Sequence, residues 1–234
     1  MWYILLLSLL PSLLICIYIY FRDVREKEPF KLLLKAFFFG MLSVACTLFI
    51  HVVLNLAGLE YNNNAFMSAF VGAAIIEECS KFFLLLSLMW KNSEFNERFD
   101  GIVYAVFVSM GFAFVENALY IFDDTSSYIP TFIARLLFAT PAHFLFAVSM
   151  GYFVSVAKFN PIKKKRNLVY ALLSAILLHG VYDYLLMYAD ASSSTLVSFI
   201  LMVLFFIFDI FMWRLGIKKI RKASEADKPD SWQL

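Results

Sequence analysis

Glu77-Glu78-Cys79-Ser80-Lys81 lies in the middle of an apolar stretch, between the run from Phe66 to Ile76 and the run from Phe82 to Trp90. The whole stretch has about 25 residues, enough to cross a bilayer as an α-helix. Each charge at that depth costs roughly 2.5–3.5 kcal/mol on insertion scales. The face that carries two acids and a lysine is therefore predicted to turn toward the interior of a helix bundle, as a functional site does.

The composition places this stretch in a membrane protein with several spans. The chain has 234 residues, of which 62% are hydrophobic, and a mean hydropathy of +0.76, whereas soluble domains are roughly 45–50% apolar. We predict an all-α fold with about seven transmembrane helices, including a retained first span that lacks the basic n-region and cleavage site of a signal peptide. The predicted spans are about 2–21, 34–58, 66–90, 100–122, 129–157, 168–188 and 195–215.

The distribution of basic residues predicts the topology. Eighteen of the Lys and Arg residues fall in or next to the segments after the first, third, fifth and seventh spans, and none falls in the three loops between them. Because cytoplasmic loops carry the excess of Lys and Arg, we expect the N-terminus outside and the C-terminus in the cytoplasm. The basic run Lys163–Arg166 is interpreted as part of this pattern, facing anionic lipid head groups, and not as a nucleic-acid site.

Two further patterns limit the possible organisation. The three cysteines, Cys16, Cys46 and Cys79, show no CxxC spacing, so neither a disulfide framework nor a thiolate metal site is predicted. Residues 1–222 are interpreted as a single transmembrane helical domain, followed by a disordered polar cytoplasmic tail at 223–234. The sequence does not indicate an oligomeric state.

Polar residues occur at membrane depth in four of the predicted spans. Lys81 is within helical reach of both preceding acids, so one acid is expected to pair with it while the other faces a cavity. The one-turn spacing of His179 and Asp183 places both on one helix face, where the carboxylate can hold the imidazole in one tautomer or stabilise its charged form. Counting residues from the span ends puts all the groups in one layer, from mid-membrane to the outer third. This set comprises Glu77, Glu78, Lys81, Glu116, Asn117, His143, His179 and Asp183.

Two other charged residues in the spans are interpreted as peripheral. Arg135 is expected to extend outward or to meet Asp123 or Asp124, and Asp209 is expected to lie near the inner end of the last span. Both are assigned structural roles.

Two classes of function fit this polar layer. In hydrolysis, a carboxylate would activate water while a histidine and nearby donors stabilise the oxyanion. In proton-coupled transport, the carboxylates would form a relay. HExxH and GxSxG are absent, although a metal held by Glu77, Glu116, His143 and His179 is chemically possible.

Three motifs on successive helices resemble the PrsW family of bacterial membrane proteases, which is related to the CAAX prenyl endopeptidases. They are Glu77-Glu78-x-x-Lys81, Phe112-x-x-x-Glu116 and His179-x-x-x-Asp183, and Pro141-x-His143 followed by Gly151-Tyr152 is also similar to that family. The resemblance extends from the first to the sixth span. It implies that residues 1–222 form a protease domain in the bacterial cytoplasmic membrane.

The resemblance implies site-1 cleavage of a membrane-anchored anti-sigma factor near the outer face, in regulated intramembrane proteolysis during envelope stress. It implies Glu77 as the base on water, Glu78 paired to Lys81 or assisting, and His179 at the developing oxyanion. It also implies a glutamic-type protease without a metal or other cofactor. CAAX endopeptidases have His and Asn at the positions of Glu116 and Asp183, so Glu116 cannot be a cationic donor and Asp183 is expected to orient His179.

Overall fold

The computed structural model describes residues 2–124 and 127–227, and these residues form helices joined by short loops, without a β-strand. Two of the helical segments, named π1 and π2 here, have π-helical hydrogen bonding. In chain order the elements are α1 (Trp2–Arg22), α2 (Phe30–Leu56), α3 (Ala65–Met67), π1 (Ser68–Ile75), α4 (Ile76–Met89), α5 (Asp100–Asp123), α6 (Tyr128–Ala134), π2 (Arg135–Ala139), α7 (Thr140–Phe159), a 3-10 turn (Pro161–Lys163), α8 (Lys164–Ala191) and α9 (Thr195–Ala226).

Six helical runs in the described part of the chain are long and apolar enough to cross a membrane. The predicted span 66–90 is also helical, but α3, π1 and α4 divide it into shorter elements. The all-α, multi-span class predicted from the sequence is therefore confirmed. The six long runs are Ile4–Arg22, Phe30–Leu56, Asp100–Asp123, Tyr128–Phe159, Pro161–Ala191 and Thr195–Ala226.

Helix α5 forms the centre of the bundle and packs against α1, α2 and α7, while α7 also packs against α8 and α9. The α2 and α5 backbones approach closely because glycine stands at both contact points. A Cβ added at Gly40 would lie 1.8 Å from Val108 O, and one added at Gly111 would lie 1.9 Å from Phe37 O. Small residues at such contacts let membrane helices pack backbone against backbone.

Each π-helical segment precedes residues of the polar layer. Segment π1 ends at Ile75, two residues before Glu77, and π2 ends at Ala139, directly before Thr140-Pro141. The second change of helix type thus comes directly before Pro141. Short π-helical segments inside α-helices are frequent at functional sites, because they widen one turn and redirect the side chains around it.

The C-terminal segment differs from the sequence expectation. Helix α9 continues to Ala226, so the first four residues of the tail expected to be disordered are helical. The next residue, Asp227, accepts hydrogen bonds from the backbone N–H groups of Arg98 and Phe99, each at 2.9 Å. A carboxylate that satisfies free N–H groups next to a helix start is a stabilising contact, and it holds this segment beside α5. Residues 228–234 lie outside the described residues.

Candidate active site

Lys81 on α4 lies between the two acids that precede it, but not symmetrically. Its Nζ is 2.6 Å from Glu78 Oε1 and 3.5 Å from Glu77 Oε2. The ammonium also lies 4.0 Å from the ring centroid of Phe112, a cation–π contact that accounts for the aromatic residue one turn before Glu116. The side chain is 2% exposed, so Lys81 serves as a buried counter-ion, mainly for Glu78.

His179 on α8 joins Glu78 to Asp183. Its Nδ1 is 2.9 Å from Glu78 Oε1 and its Nε2 is 3.2 Å from Asp183 Oδ2. The ring stacks on Phe146, with centroids 4.8 Å apart and planes inclined by 14°. Because both nitrogens face carboxylates, the ring can donate to both acids only as an imidazolium, which is the form that two ionised neighbours stabilise.

His143 on α7 connects α4 with α5. Its Nε2 is 2.8 Å from Glu116 Oε2, and its Nδ1 faces Lys81 Nζ at 3.5 Å. Since an ammonium only donates, Nδ1 is the acceptor and Nε2 carries the hydrogen that Glu116 accepts. The two histidine rings are 5.5 Å apart, edge to face. His143 is therefore placed as a neutral ring and His179 as a cation.

The interpretation of Arg135 as peripheral is wrong. Its Nη2 donates to Glu116 Oε2 at 2.5 Å, and its Nε donates to Asn117 Oδ1 at 2.5 Å. The guanidinium lies 4.3 Å from the Tyr120 ring centroid, and the residue is only 9% exposed. Arg135 begins π2, whose wider turn makes residue counting from the helix end a poor guide to side-chain direction.

Asn117 holds Arg135 in place through hydrogen bonds to two other helices. Its Nδ2 donates to Thr140 Oγ1 at 3.1 Å and to Ser8 O at 3.3 Å. The amide therefore ties α5 to α1 and α7 while its oxygen receives Arg135. Because the amide nitrogen and the amide oxygen of Asn117 are both hydrogen-bonded, the side chain fixes the geometry of the groups bonded to it.

The charges of the cluster do not balance. Its acids outnumber its cations by one when His179 is counted as positive and His143 as neutral. Glu77 is the acid left over, because Oε2 of Glu77 is buried and makes no hydrogen bond with any described residue. A buried polar atom without a partner is rare in folded proteins and calls for a functional explanation. The acids are Glu77, Glu78, Glu116 and Asp183, and the cations are Lys81, Arg135 and His179.

A cavity of about 470 Å³ opens onto these side chains, within the range of pockets that bind small ligands or peptide segments. Its apolar walls come from π2, α7 and α9, including Phe138, Phe146 and Phe205. The polar residues that line it include Glu77, Glu116, Arg135, His143, His179 and Asp183. Glu78 and Lys81 are not among the lining residues, so the cavity receives Glu77 and not its neighbour.

The structure brings together every candidate residue named from the sequence. The hydrogen bonds and ion pairs form one continuous network that runs through Asp183, His179, Glu78, Lys81, His143, Glu116, Arg135 and Asn117, with Glu77 beside Lys81. Sequence reasoning missed three residues that line the cavity, namely Arg135, Tyr120 and Tyr182. The signal for Arg135 was present, since a charge within an apolar span favours an interior position; the two tyrosines carried no comparable signal.

The same residues were tested for their fit to a metal ion. Among the described residues, two sets place one ligand atom each within 4.8 Å of one another: Glu77, Glu116 and His143, and Glu77, Glu78 and His179. Carboxylate and imidazole donors suit several divalent cations, and Glu77 belongs to both sets. The residues present therefore fit a divalent cation by donor type and spacing.

Gly180 connects the site to π1. A Cβ at this position would lie 2.4 Å from two atoms of the Phe70 ring. Only glycine therefore allows α8 to pack against the segment that leads to Glu77. This contact places His179, one residue earlier, opposite the acids of α4.

Comparison with known proteins finds relatives that match most of the chain. A family model described as "PrsW family intramembrane metalloprotease" matches residues 28–210. "Protease PrsW" of Geobacillus kaustophilus (strain HTA426) is 35% identical over 222 residues, which cover 94% of this chain and 92% of that protein. The protein of the same name from Bacillus subtilis (strain 168) is 31% identical over 214 residues, which cover 91% and 92% of the two chains. No solved structure gives a significant match.

Proposed function

Because the chain belongs to the PrsW family of membrane proteases, we propose that it hydrolyses a peptide bond of a membrane-anchored protein with Glu77 as the general base. The observation that carries this proposal is that Glu77 lines the cavity, while its buried Oε2 makes no hydrogen bond with any described residue. A carboxylate in that position accepts a proton from water at the moment of attack. The transport alternative has no comparable support, since the relatives named here are proteases.

In this proposal Glu77 takes a proton from a water molecule, and the resulting hydroxide bonds to the carbonyl carbon of the scissile peptide. The carbonyl oxygen becomes an oxyanion. Protonated Glu77 then returns its proton to the amide nitrogen as the C–N bond breaks, which leaves a carboxyl group and an amine. A single carboxyl that acts first as base and then as acid supplies both proton transfers.

The neighbouring residues are assigned supporting roles. Lys81 and His179 neutralise Glu78 and prevent it from competing for the proton, and Asp183 holds the His179 ring from the other side. Glu116 fixes the hydrogen of His143 on Nε2. These assignments keep Glu77 as the cavity-lining acid of the network whose carboxylate makes no hydrogen bond to a cation among the described residues.

A metal ion is compatible with the same site. Glu77, Glu116 and His143 would hold a divalent cation, which when bound would lower the pKa of its water ligand and polarise the carbonyl group. The glutamic-type mechanism and the metal-assisted mechanism both require Glu77. They differ in whether a chelator abolishes activity.

The location and the substrate are further parts of the proposal. With an external N-terminus, the cavity lies in the outer half of the bacterial cytoplasmic membrane, since its walls come from the ends of α6, α8 and α9 next to the loops that lack Lys and Arg. Site-1 cleavage of an anti-sigma factor in response to envelope stress is proposed from the likeness to the PrsW family.

The test is a comparison of cells that carry wild-type protein or Glu77→Gln. Mass spectrometry of membranes should show a single-span protein that accumulates uncut in the variant, and purified wild-type protein in proteoliposomes should cleave it. A wild-type preparation that cleaves no accumulated protein would contradict the proposal. Loss of activity in a chelator, restored by a divalent metal, would assign the metal-assisted mechanism.

A further inference from the structure

A hydrolysis in this cavity needs a donor for the oxyanion, and most donors of the network are already used. Both ring nitrogens of His179 face carboxylates, and Nε2 of His143 donates to Glu116. Lys81 is buried behind Glu77 and does not line the cavity. His179, which the family resemblance suggests for this task, would have to release Asp183 or Glu78 to perform it.

Arg135 is the cation that keeps unused donors at the cavity. Its Nε donates to Asn117 and its Nη2 donates to Glu116, while Nη1 makes no hydrogen bond with any residue that the structure describes. The residue lines the cavity together with Glu77. A guanidinium carries five N–H donors in a planar fork and stays charged, so two contacts can hold it while the remaining donors face a substrate.

The guanidinium is also held in place before any substrate arrives. Asn117 is itself fixed by Thr140 and Ser8, and the Tyr120 ring covers the guanidinium plane at 4.3 Å. Donors that are oriented in advance, in a site shielded from water, stabilise developing charge most effectively because they do not reorganise during the reaction.

We propose that Arg135 is a catalytic residue of this hydrolysis, which donates from Nη1 to the carbonyl oxygen of the scissile bond as that oxygen becomes an oxyanion. This inference rests on the proposed function. In the attack step the hydroxide oxygen bonds to the carbonyl carbon, the C=O π pair moves onto oxygen, and Arg135 stabilises the resulting charge without losing a proton. When the C–N bond breaks, that pair returns to form the C=O bond.

The expected effect falls on the chemical step. Removal of one oxyanion donor lowers kcat by about 10²- to 10³-fold in well-studied hydrolases. We therefore expect Arg135→Gln to lose about that factor in kcat with little change in KM. Arg135→Lys keeps the positive charge but lacks the planar fork of donors, so its kcat should lie between those of wild type and Arg135→Gln.

The experiment uses purified full-length protein in proteoliposomes and the substrate that wild type cleaves. Wild type, Arg135→Gln and Arg135→Lys are compared with Arg166→Gln, a control on an exposed arginine whose guanidinium lies 5.9 Å from the Tyr170 ring. Two ligands are titrated against each: a phosphinate peptide, whose tetrahedral anion mimics the intermediate, and the amine product peptide, which lacks the scissile carbonyl group. We expect Arg135→Gln to weaken the phosphinate about as much as it lowers kcat/KM, while affinity for the amine product stays within threefold, because that product has no negative charge for Arg135 to stabilise.

Several outcomes would overturn the proposal. Arg135→Gln with a wild-type kcat, or equal weakening of phosphinate and product, would show that the arginine has a structural role. If Arg135→Gln does not fold, Arg135→Lys decides by the same ratio of the two affinities, and an unchanged ratio excludes the oxyanion role. Failure of wild type itself to cleave would contradict the proposed function, which is a separate result.

Discussion

Lys81 Nζ lies 2.6 Å from Glu78 Oε1, close enough for a strong charge-assisted hydrogen bond. The neighbouring carboxylate of Glu77 is 3.5 Å from the same ammonium and makes no hydrogen bond with a described residue. Two acids that are adjacent in sequence are thus unequal in the structure. One is neutralised by a lysine and a histidine, and the other faces the cavity.

This inequality predicts opposite effects on stability. Glu78→Gln removes the acid that pairs with both Lys81 and His179, and breaking a buried ion pair costs roughly 3–5 kcal/mol. Glu77→Gln removes a charge without a hydrogen-bond partner, so the Tm should be unchanged or higher. Thermal unfolding of the purified variants in detergent measures both, and equal losses would mean that the two acids share Lys81.

His179 should be indispensable for turnover, because its ring holds Glu78 on one side and Asp183 on the other. We expect His179→Ala to abolish cleavage and Asp183→Asn, which weakens only the orienting contact, to lower kcat about 10- to 100-fold. His51 provides the matched control, since it bonds the Tyr61 hydroxyl at 2.7 Å and is not among the cavity-lining residues. His51→Ala should cleave at the wild-type rate, and a comparable loss there would indicate a general defect in folding.

Gly180→Ala should disturb the site through packing. The new methyl group would collide with the Phe70 ring at 2.4 Å, and overpacking of this kind costs about 1–3 kcal/mol. Since Phe70 lies on π1, which leads to Glu77, activity should fall together with the Tm. Gly216→Ala is the control, because the nearest atom is a terminal methyl group of Leu145 at 2.6 Å, which can move at low cost. Equal Tm values for the two variants would contradict this account.

The loop between α1 and α2 should make stability depend on pH. Burial raises the pKa of Glu28 from 4.5 to about 7, although the Tyr104 hydroxyl donates to its carboxylate and opposes that shift. The folded state therefore binds more protons than the unfolded state between pH 4.5 and about 7, and stability should fall as the pH rises through this window.

Glu28→Gln should reduce that dependence, because the amide has no proton to lose, while burial also raises the pKa of Asp23 to about 6 and keeps a part of it. Its Tm advantage over wild type should widen from pH 5 to pH 8 in thermal unfolding experiments. The exposed Glu26→Gln serves as the control and should follow the wild-type curve. A Glu28→Gln curve parallel to wild type would show that Glu28 does not titrate in this range.

The predicted topology is tested by reporters fused after Leu234 and in the loop at Glu60. We expect the first to be active only in the cytoplasm and the second only outside, because Lys and Arg lie in or next to alternate segments. An external C-terminus would place the cavity toward the cytoplasm and would contradict the proposed outer-face cleavage.

Much of the fold followed from local pattern. Apolar runs predicted the spans, and helical spacing predicted that His179 meets Asp183 and that Lys81 reaches an acid. The choice between Glu77 and Glu78 could not be predicted, because both spacings suit a lysine. Rotation of α4 against α8 decides it, and this rotation depends on long-range contacts such as Gly180 with Phe70.

The position of Arg135 could not be predicted for a different reason. Residue counts assumed an α-helix from 129 to 157, whereas Arg135–Ala139 is π-helical and has a wider turn. No pattern in the residues of that segment indicates the change of helix type. The cation was therefore assigned to the periphery, although it bonds Glu116 inside the site.

The role of Glu77 as general base is tested by the single-turnover cleavage rate of Glu77→Gln in proteoliposomes, measured with the substrate that wild type cleaves. We expect a rate at least about 10²-fold below wild type, as for a lost general base, with a Tm that is unchanged or higher and an unchanged affinity for the product peptide. A Glu77→Gln protein that cleaves at the wild-type rate would contradict the claim that Glu77 activates the water.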